Sequence, residues 1–299
     1  MALQESKFLE YVDRKAIARI GGNPLLTNFA MEGNVSGHHK SNHKGSSVEF
    51  AEYREYTEGE DPRQMDWKVL ARTDKYFLKE FEAETNLRAH QVLDCSASMN
   101  FGKTSSKLEY AKRMVGTLTY AYLNQGDAVG LSLLQASEHS VLPARRNPSQ
   151  LHDILSTLGQ AKASGNDQLV AQLHQVAETV KSRALLLVFS DFFEDPEIIE
   201  DAIHHLRDRK HEVVLFNLVD RQELEFIFDR PTRFVDLEGG SSILTEPSII
   251  RDEYLKQMRE HMDQIKKICA ETQSSFHQVV TDVQIDEALS VFSYQRTQF

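Results

Sequence analysis

The sequence predicts an α/β protein with a doubly wound, mostly parallel sheet flanked by helices. Three observations predict it. The C-terminal two-thirds alternates strand-like and helix-like segments, the pattern of an α/β layer architecture. The run ALLLVFS (184–190) opens with six apolar residues, as expected of a strand covered by helices on both faces. Two strand-like segments end in aspartate, HQVLD at Asp94 and LLLVFSD at Asp191. In open parallel sheets, ligands sit beyond the carboxyl ends of strands, where the strand order reverses.

Taken in order, Phe8 to Ile20 reads as a short helix. The next stretch, GGNPLLTNFAMEGNVSGHHKSNHKGSS, is rich in Gly, Asn, Ser and His and is expected to be irregular and exposed. VEFAEYREY (48–56) partly alternates apolar and polar residues, which suits a half-buried strand. GEDPRQMDW (59–67) is a turn leading to the only Trp, and KYFLKEFEAE (75–84) fits a strand or a short helix. RAHQVL before Asp94 is a strand. Leu108, Ala111, Val115, Leu118 and Tyr122 then fall at steps of three and four, a helical stripe. Gly126-Asp127 breaks that helix. AVGLSLLQ (128–135) and HSVLPA (139–144) follow as strands joined by a short turn. Helices are expected from Ser149 to Leu158 and along Leu169, Leu173, Val176 and Val180, separated by a polar break at 163–167. After ALLLVFS, Asp195 caps a helix that has Pro196 at its first position. EVVLFNLVD (212–220) is another buried strand, and LEFIFD with TRFVDL looks like a small hairpin. A long helix from Pro247 to Glu271, a strand FHQVV (276–280) and a helix from Ile285 complete the chain.

Bulk properties narrow the function. The 299 residues are 40% apolar and 26% charged, with a net charge of −11. An acidic chain with isolated basic pairs, Arg145-Arg146 and Lys266-Lys267, does not track phosphates, so nucleic acid is not an expected partner. The two cysteines, Cys95 and Cys269, make neither a disulfide framework nor a zinc-ligand spacing, and a reducing compartment follows. The longest apolar runs are far too short to span a bilayer, and the first residues lack a signal-peptide core, so a cytoplasmic protein is expected.

The two strand-ending aspartates sit among hard oxygen donors. Asp94, Ser96 and Ser98 alternate in DCSASM; Asn166 or Asp167 lies in the polar break; Asp191 follows the best strand. If these loops converge, the set suits Mg²⁺ or Mn²⁺, which takes one or two carboxylates and keeps waters. Turn chemistry is the competing reading of each, since Asp, Asn and Ser are common turn residues. His38, His39 and His43 suggest zinc, but no further ligand type with fixed spacing accompanies them. Asp61, Arg63, Asp66 and Arg72 read as ion pairs that fix a turn rather than as catalytic groups.

DCSASM resembles the Asp-x-Ser-x-Ser motif of von Willebrand factor A domains. Their metal-ion-dependent adhesion site also draws a Thr from a second loop and an Asp from a third. Asp191 matches the third; Gly165-Asn166 stands where Gly-Thr is usual, and Asn offers a carbonyl oxygen instead. Residues 37–86 are similar to the bacterial DUF58 family, densely so at Glu49-Phe50, Tyr53-Arg54, Asp66-Trp67-Lys68 and Ala71-Arg72-Thr73, and the similarity continues through DCSASM and KLEYAKRM. The resemblance implies an N-terminal segment over 1–86 and a von Willebrand factor A-like domain over 87–299. It also implies a non-enzymatic, metal-dependent interaction module that takes a partner's carboxylate, and a MoxR-type AAA+ ATPase as partner. Two rival readings stand beside it. One is a metal-assisted hydrolase or phosphoryl-transfer enzyme, for which no phosphate loop or nucleophile–base pair is visible. The other is a structural assembly protein with a degenerate metal site.

Overall fold

The computed structural model describes residues 9–20, 25, 49–55, 69, 76–82, 87–135, 140–165, 168–228, 230–235 and 242–296. The chain divides into two compact units, Met1–Asn28 with Arg88–Phe299, and Phe29–Leu87. Helix α1 (Arg14–Ile20) belongs to the first, where it packs on the last helix of the chain. It starts late because Asp13 caps it: Oδ1 accepts from the N–H groups of Lys15 and Ala16 at 3.0 and 3.1 Å. The single helix expected from Phe8 is therefore a 3-10 turn, Leu9–Tyr11, and then α1. The described part of the second unit is an antiparallel pair, β1 (Glu49–Glu55) and β2 (Phe77–Glu82), with a register shift between Phe50 and Glu52. The expected half-buried strand and the strand-or-helix segment are both strands.

The first unit continues through β3 (Arg88–Asp94), α2 (Lys107–Asn124), β4 (Ala128–Leu134), β5 (Ser140–Arg145), α3 (Ser149–Gln160), α4 (Leu169–Thr179) and β6 (Leu185–Ser190). Then follow α5 (Pro196–Asp208), β7 (Glu212–Val219), α6 (Arg221–Glu225), β8 (Thr232–Val235), β9 (Ser242–Thr245), α7 (Pro247–Glu271), β10 (Ser275–Val280) and α8 (Ile285–Arg296). Six strands form one sheet in the order β10-β7-β6-β3-β4-β5, parallel except for β5 against β4. The chain winds from β3 to β4 in one direction and returns to lay β6 on the other side of β3. The strand order therefore reverses between β3 and β6, which makes their carboxyl ends the switch point of the sheet.

Alternation along the strands divides the core. Val92, Leu186, Val188, Val213 and Leu215 join Leu173 of α4, Ile203 of α5 and Met262 of α7 in one cluster. On the other face Phe189 stacks on Phe216 with ring centroids 4.8 Å apart, and Phe292 of α8 meets Phe216 edge-on at 5.2 Å. β6 and β7 are buried at every residue, as their largely apolar sequences require of central parallel strands. Among the described residues no helix is long and apolar enough to cross a membrane.

One local expectation is corrected. LEFIFD is not a hairpin arm, because Asp220 and Glu223 form a capping box that starts α6 across Leu224 and Glu225. The hairpin is β8 with β9, pairing Thr232 to Thr245 and Val235 to Ser242.

Candidate functional site

Asp94 is the last residue of β3, and Asp191 directly follows β6. The strands are neighbours in register, with Leu93 opposite Phe189, so both carboxylates leave the sheet at its switch point. One hydroxyl links the two strand ends. Ser190 Oγ donates to Asp94 Oδ2 at 2.7 Å and accepts the Phe192 N–H at 3.1 Å. The other oxygen of Asp94 accepts the Ser96 N–H at 2.8 Å, which folds the chain into a tight turn. In that turn the Ser96 and Ser98 hydroxyls lie 3.0 Å apart.

The loop before α4 reaches the same turn. Ala97 N–H donates to the Gly165 carbonyl at 3.3 Å, and Ser164 N–H donates to the Cys95 carbonyl at 2.9 Å. Asn166 and Asp167, the expected second-loop donors, lie outside the described residues, as do His38, His39, His43, Asp61, Arg63, Asp66 and Arg72. Gly102, beyond the turn, has φ +149°, and a Cβ there would meet the Ser105 carbonyl oxygen at 2.1 Å. This bend lets the Lys107 N–H reach the Phe101 carbonyl at 2.9 Å and start α2 beside the site.

Asp94 is 3% exposed and Asp191 1%, so each carboxylate needs compensation for lost hydration. The lysine at the start of α2 supplies it for Asp191. Lys107 Nζ donates to Asp191 Oδ2 at 2.7 Å and to Glu223 Oε1 of α6 at 2.9 Å, and its side chain is wholly buried. Burial alone would lower the Lys107 pKa; the Asp191 and Glu223 carboxylates outweigh it and hold the ammonium above its ordinary range. Burial pushes Glu223 up in turn, although Lys107 opposes the shift. The Phe193 ring lies 5.0 Å from the ammonium and is 41% exposed, an apolar rim beside a charged interior.

The turn after β6 is held from three sides. Asn217 Nδ2 donates to the Asp191 carbonyl at 2.8 Å, His261 Nε2 lies 2.7 Å from the Phe192 carbonyl, and Phe192 takes φ 52°. A left-handed Phe costs about 1–3 kcal/mol and persists only where surroundings enforce it. Helix capping does not occupy Asp191, because Asp195 caps α5 through the Glu197 N–H at 3.0 Å. One oxygen of Asp191, Oδ1, is buried with no hydrogen-bond partner among the described residues.

Four expected donors, Asp94, Ser96, Ser98 and Asp191, thus lie at the carboxyl edge of the sheet, at the end of β3 and in the turns after β3 and β6. A hard cation fits an all-oxygen set with a buried, unsatisfied carboxylate oxygen. Among the described residues no group of three or more His, Cys, Asp or Glu side chains sits at metal-binding spacing. The participants missed in the sequence are Lys107 and Glu223. A lysine in the first turn of a helix opposes the helix dipole, and that was the available signal for Lys107. Cys95 is fully buried; burial, with Asp94 as a second cause, pushes its thiol up to about 12, as expected of a packing residue.

Fold and site define a doubly wound α/β protein with an Asp-x-Ser-x-Ser turn at its switch point. The chain matches the family described as "Protein of unknown function DUF58" over residues 52–264. It belongs to the DUF58 family. It is 25% identical over 261 residues to "Uncharacterized protein Mb1516" of Mycobacterium bovis and to "Uncharacterized protein Rv1480" of Mycobacterium tuberculosis, covering 83% of this chain and 80% of each relative. Among solved structures it is similar to an aerotolerance-related membrane protein from Bacteroides fragilis, at 15% identity and TM-score 0.46, over 72% of this chain and 100% of that one. BatB from Bacteroides thetaiotaomicron matches at 16% identity, TM-score 0.46 and the same coverage. The SpRpn10 VWA domain matches at 14% identity and TM-score 0.41, over 69% of this chain and 94% of that one.

Proposed function

We propose that this protein is a metal-dependent protein-interaction module of a reducing, cytoplasmic compartment. Asp94, Ser96 and Ser98 would hold Mg²⁺ or Mn²⁺, with Asp191 reaching it directly or through water and Asn166 completing the second loop. The ion would supply an electrophilic vacancy for a carboxylate on a partner protein, because serine ligands leave its charge largely unspent. The carrying observation is the meeting of the β3 and β6 ends, where Ser190 ties Asp94 to the strand that Asp191 follows. The exposed Phe193 ring beside that edge supports docking of a protein rather than a free ion. A MoxR-type AAA+ ATPase bearing an acidic residue is the partner this reading takes. The buried Cys95 thiol argues against a nucleophilic enzyme.

A second reading has its own observation. Lys107 already gives Asp191 a positive partner, as an assembly protein working without metal would require.

Calorimetric titration of Mg²⁺ and Mn²⁺ into wild type and Asp94→Ala tests the proposal. Binding by wild type that Asp94→Ala abolishes supports it. An inert wild type leaves the metal-free reading. Capture of the ATPase that is indifferent to EDTA and to Asp94→Ala overturns metal-mediated docking.

A further inference from the structure

On the surface of the first unit, α4 and α5 face each other through two reciprocal His–acid pairs. His174 and Glu178 stand one turn apart on α4; Asp201 and His205 do so on α5. The ring nitrogens Nδ1 of His174 and His205 are 2.9 Å apart, with ring centroids at 5.1 Å. Each far nitrogen looks at a carboxylate on the other helix. His205 Nε2 is 3.1 Å from Glu178 Oε1, and His174 Nε2 is 3.6 Å from Asp201 Oδ2. Arg209 also contacts Glu178, where its guanidinium and His205 keep the carboxyl below its ordinary pKa and therefore ionised. The rings are about two-thirds buried and line an open pocket with Gln175, Glu178 and Thr179.

The carboxylates bias where the ring hydrogens sit. An ionised Glu178 only accepts, so His205 Nε2 carries a hydrogen. Asp201 favours the same tautomer for His174. Two such rings would bring both Nδ1 lone pairs into a gap of 2.9 Å, which an ion seated beside them can take. Without an ion, one ring instead carries its hydrogen on Nδ1 and donates it to the other. A divalent ion satisfies the group better: it takes both Nδ1 lone pairs and leaves both Nε2–H groups to their carboxylates. Histidine ligands backed by carboxylates in this way are a recurrent arrangement at metal centres.

We propose that His174 and His205 form a two-histidine site for a divalent transition metal, with Glu178 and Asp201 orienting the rings and water filling the remaining positions. At metal–nitrogen distances of about 2.0–2.1 Å, the observed separation subtends roughly 90° at the ion. That angle suits the square-planar or octahedral preferences of Cu²⁺ and Ni²⁺, whereas tetrahedral Zn²⁺ would force the rings apart. Bound metal would staple α4 to α5. This site is independent of the oxygen-donor edge at Asp94.

The test is calorimetric titration of Ni²⁺ and Cu²⁺ into the untagged full chain at pH 7.5 and pH 6, for wild type and His174→Gln/His205→Gln. The double variant should lose one equivalent, and wild-type affinity should fall at the lower pH. Copper bound by wild type should show hyperfine coupling to two nitrogens that the variant lacks. Glu178→Gln should weaken binding by roughly 10-fold while leaving the stoichiometry intact. Unchanged stoichiometry in a folded double variant assigns the ion to other histidines and overturns the proposal. So does a wild type that takes up no ion at millimolar concentration.

Discussion

Asp94 and Asp191 leave neighbouring strands at the same edge, yet their buried charges are compensated differently. Asp94 accepts from neutral donors, the Ser96 N–H and the Ser190 hydroxyl. Asp191 faces a full positive charge on Lys107, which Glu223 shares, and keeps one oxygen without a donor among the described residues. Dipoles fixed by a turn shape a carboxylate for a ligand without consuming its charge. An ammonium consumes part of that charge and ties the loop to α2 and α6. Asp191 is therefore the member tied to two helices, and Asp94 the one held by its own turn and by Ser190.

The largest effect should come from breaking the anchor. Lys107→Met keeps the volume but leaves Asp191 and Glu223 facing an apolar chain. Stranding buried partners costs about 3–5 kcal/mol, read as a lower denaturation midpoint at pH 8. Mg²⁺ added to this variant should recover part of the loss if a cation can replace the ammonium. A cost under about 1 kcal/mol, as for an exposed ion pair, would erase the contrast between the two aspartates.

Acid must be kept out of that measurement. Burial pushes His211 and His277 down to about 4, with smaller like-charge contributions from nearby arginines. Unfolded, both titrate near their ordinary value of about 6.5. Between these values the unfolded chain binds more protons, so stability falls as pH drops from about 6.5 through about 4. Above about 7.5 both residues are neutral in either state and the site can be compared cleanly. Histidine ring resonances that titrate near pH 6.5 in the folded protein would remove this acid limb.

The same two aspartates show how far the sequence could be read. Apolar runs closed by a carboxylate marked β3 and β6, and the choice of hard oxygen donors marked Asp94, Ser96, Ser98 and Asp191 as a group. Their convergence depended only on strand order, which α/β winding rules constrain tightly. Lys107 and Glu223 were missed for a different reason: the dipole-opposing place of Lys107 hints at a partner without naming one, and its partners lie 84 and 116 residues away. LEFIFD carried a misleading signal, its apolar residues spaced as in a strand. Asp220 and Glu223 decided otherwise, since a capping box satisfies helix N–H groups that a strand would have to pair elsewhere.

Ser190→Ala probes the hydroxyl between the two strand ends. It strands Asp94 Oδ2 and the Phe192 N–H together, an expected loss of about 1–3 kcal/mol in chemical denaturation. If the carboxylates act as a unit, Mg²⁺ affinity should fall as well, because Asp94 would lose its orientation. An unchanged affinity would show that Ser190 serves folding alone.

The smallest stability effect is expected at Asp94 itself, and there the comparison is sharpest. In Asp94→Asn one oxygen still accepts, and the Ser190 hydroxyl can rotate to accept from the new amide. Exchanging one satisfied hydrogen bond for another costs about 1 kcal/mol or less. Metal affinity should respond in the opposite proportion. The substitution removes a carboxylate charge from the proposed ligand set, so Mg²⁺ binding should fall by at least about tenfold, or about 1.4 kcal/mol. Denaturation and calorimetry on the same preparation separate the outcomes. A variant that loses stability as severely as Lys107→Met but retains Mg²⁺ would exchange the two roles, making Asp94 the anchor and Asp191 the available ligand.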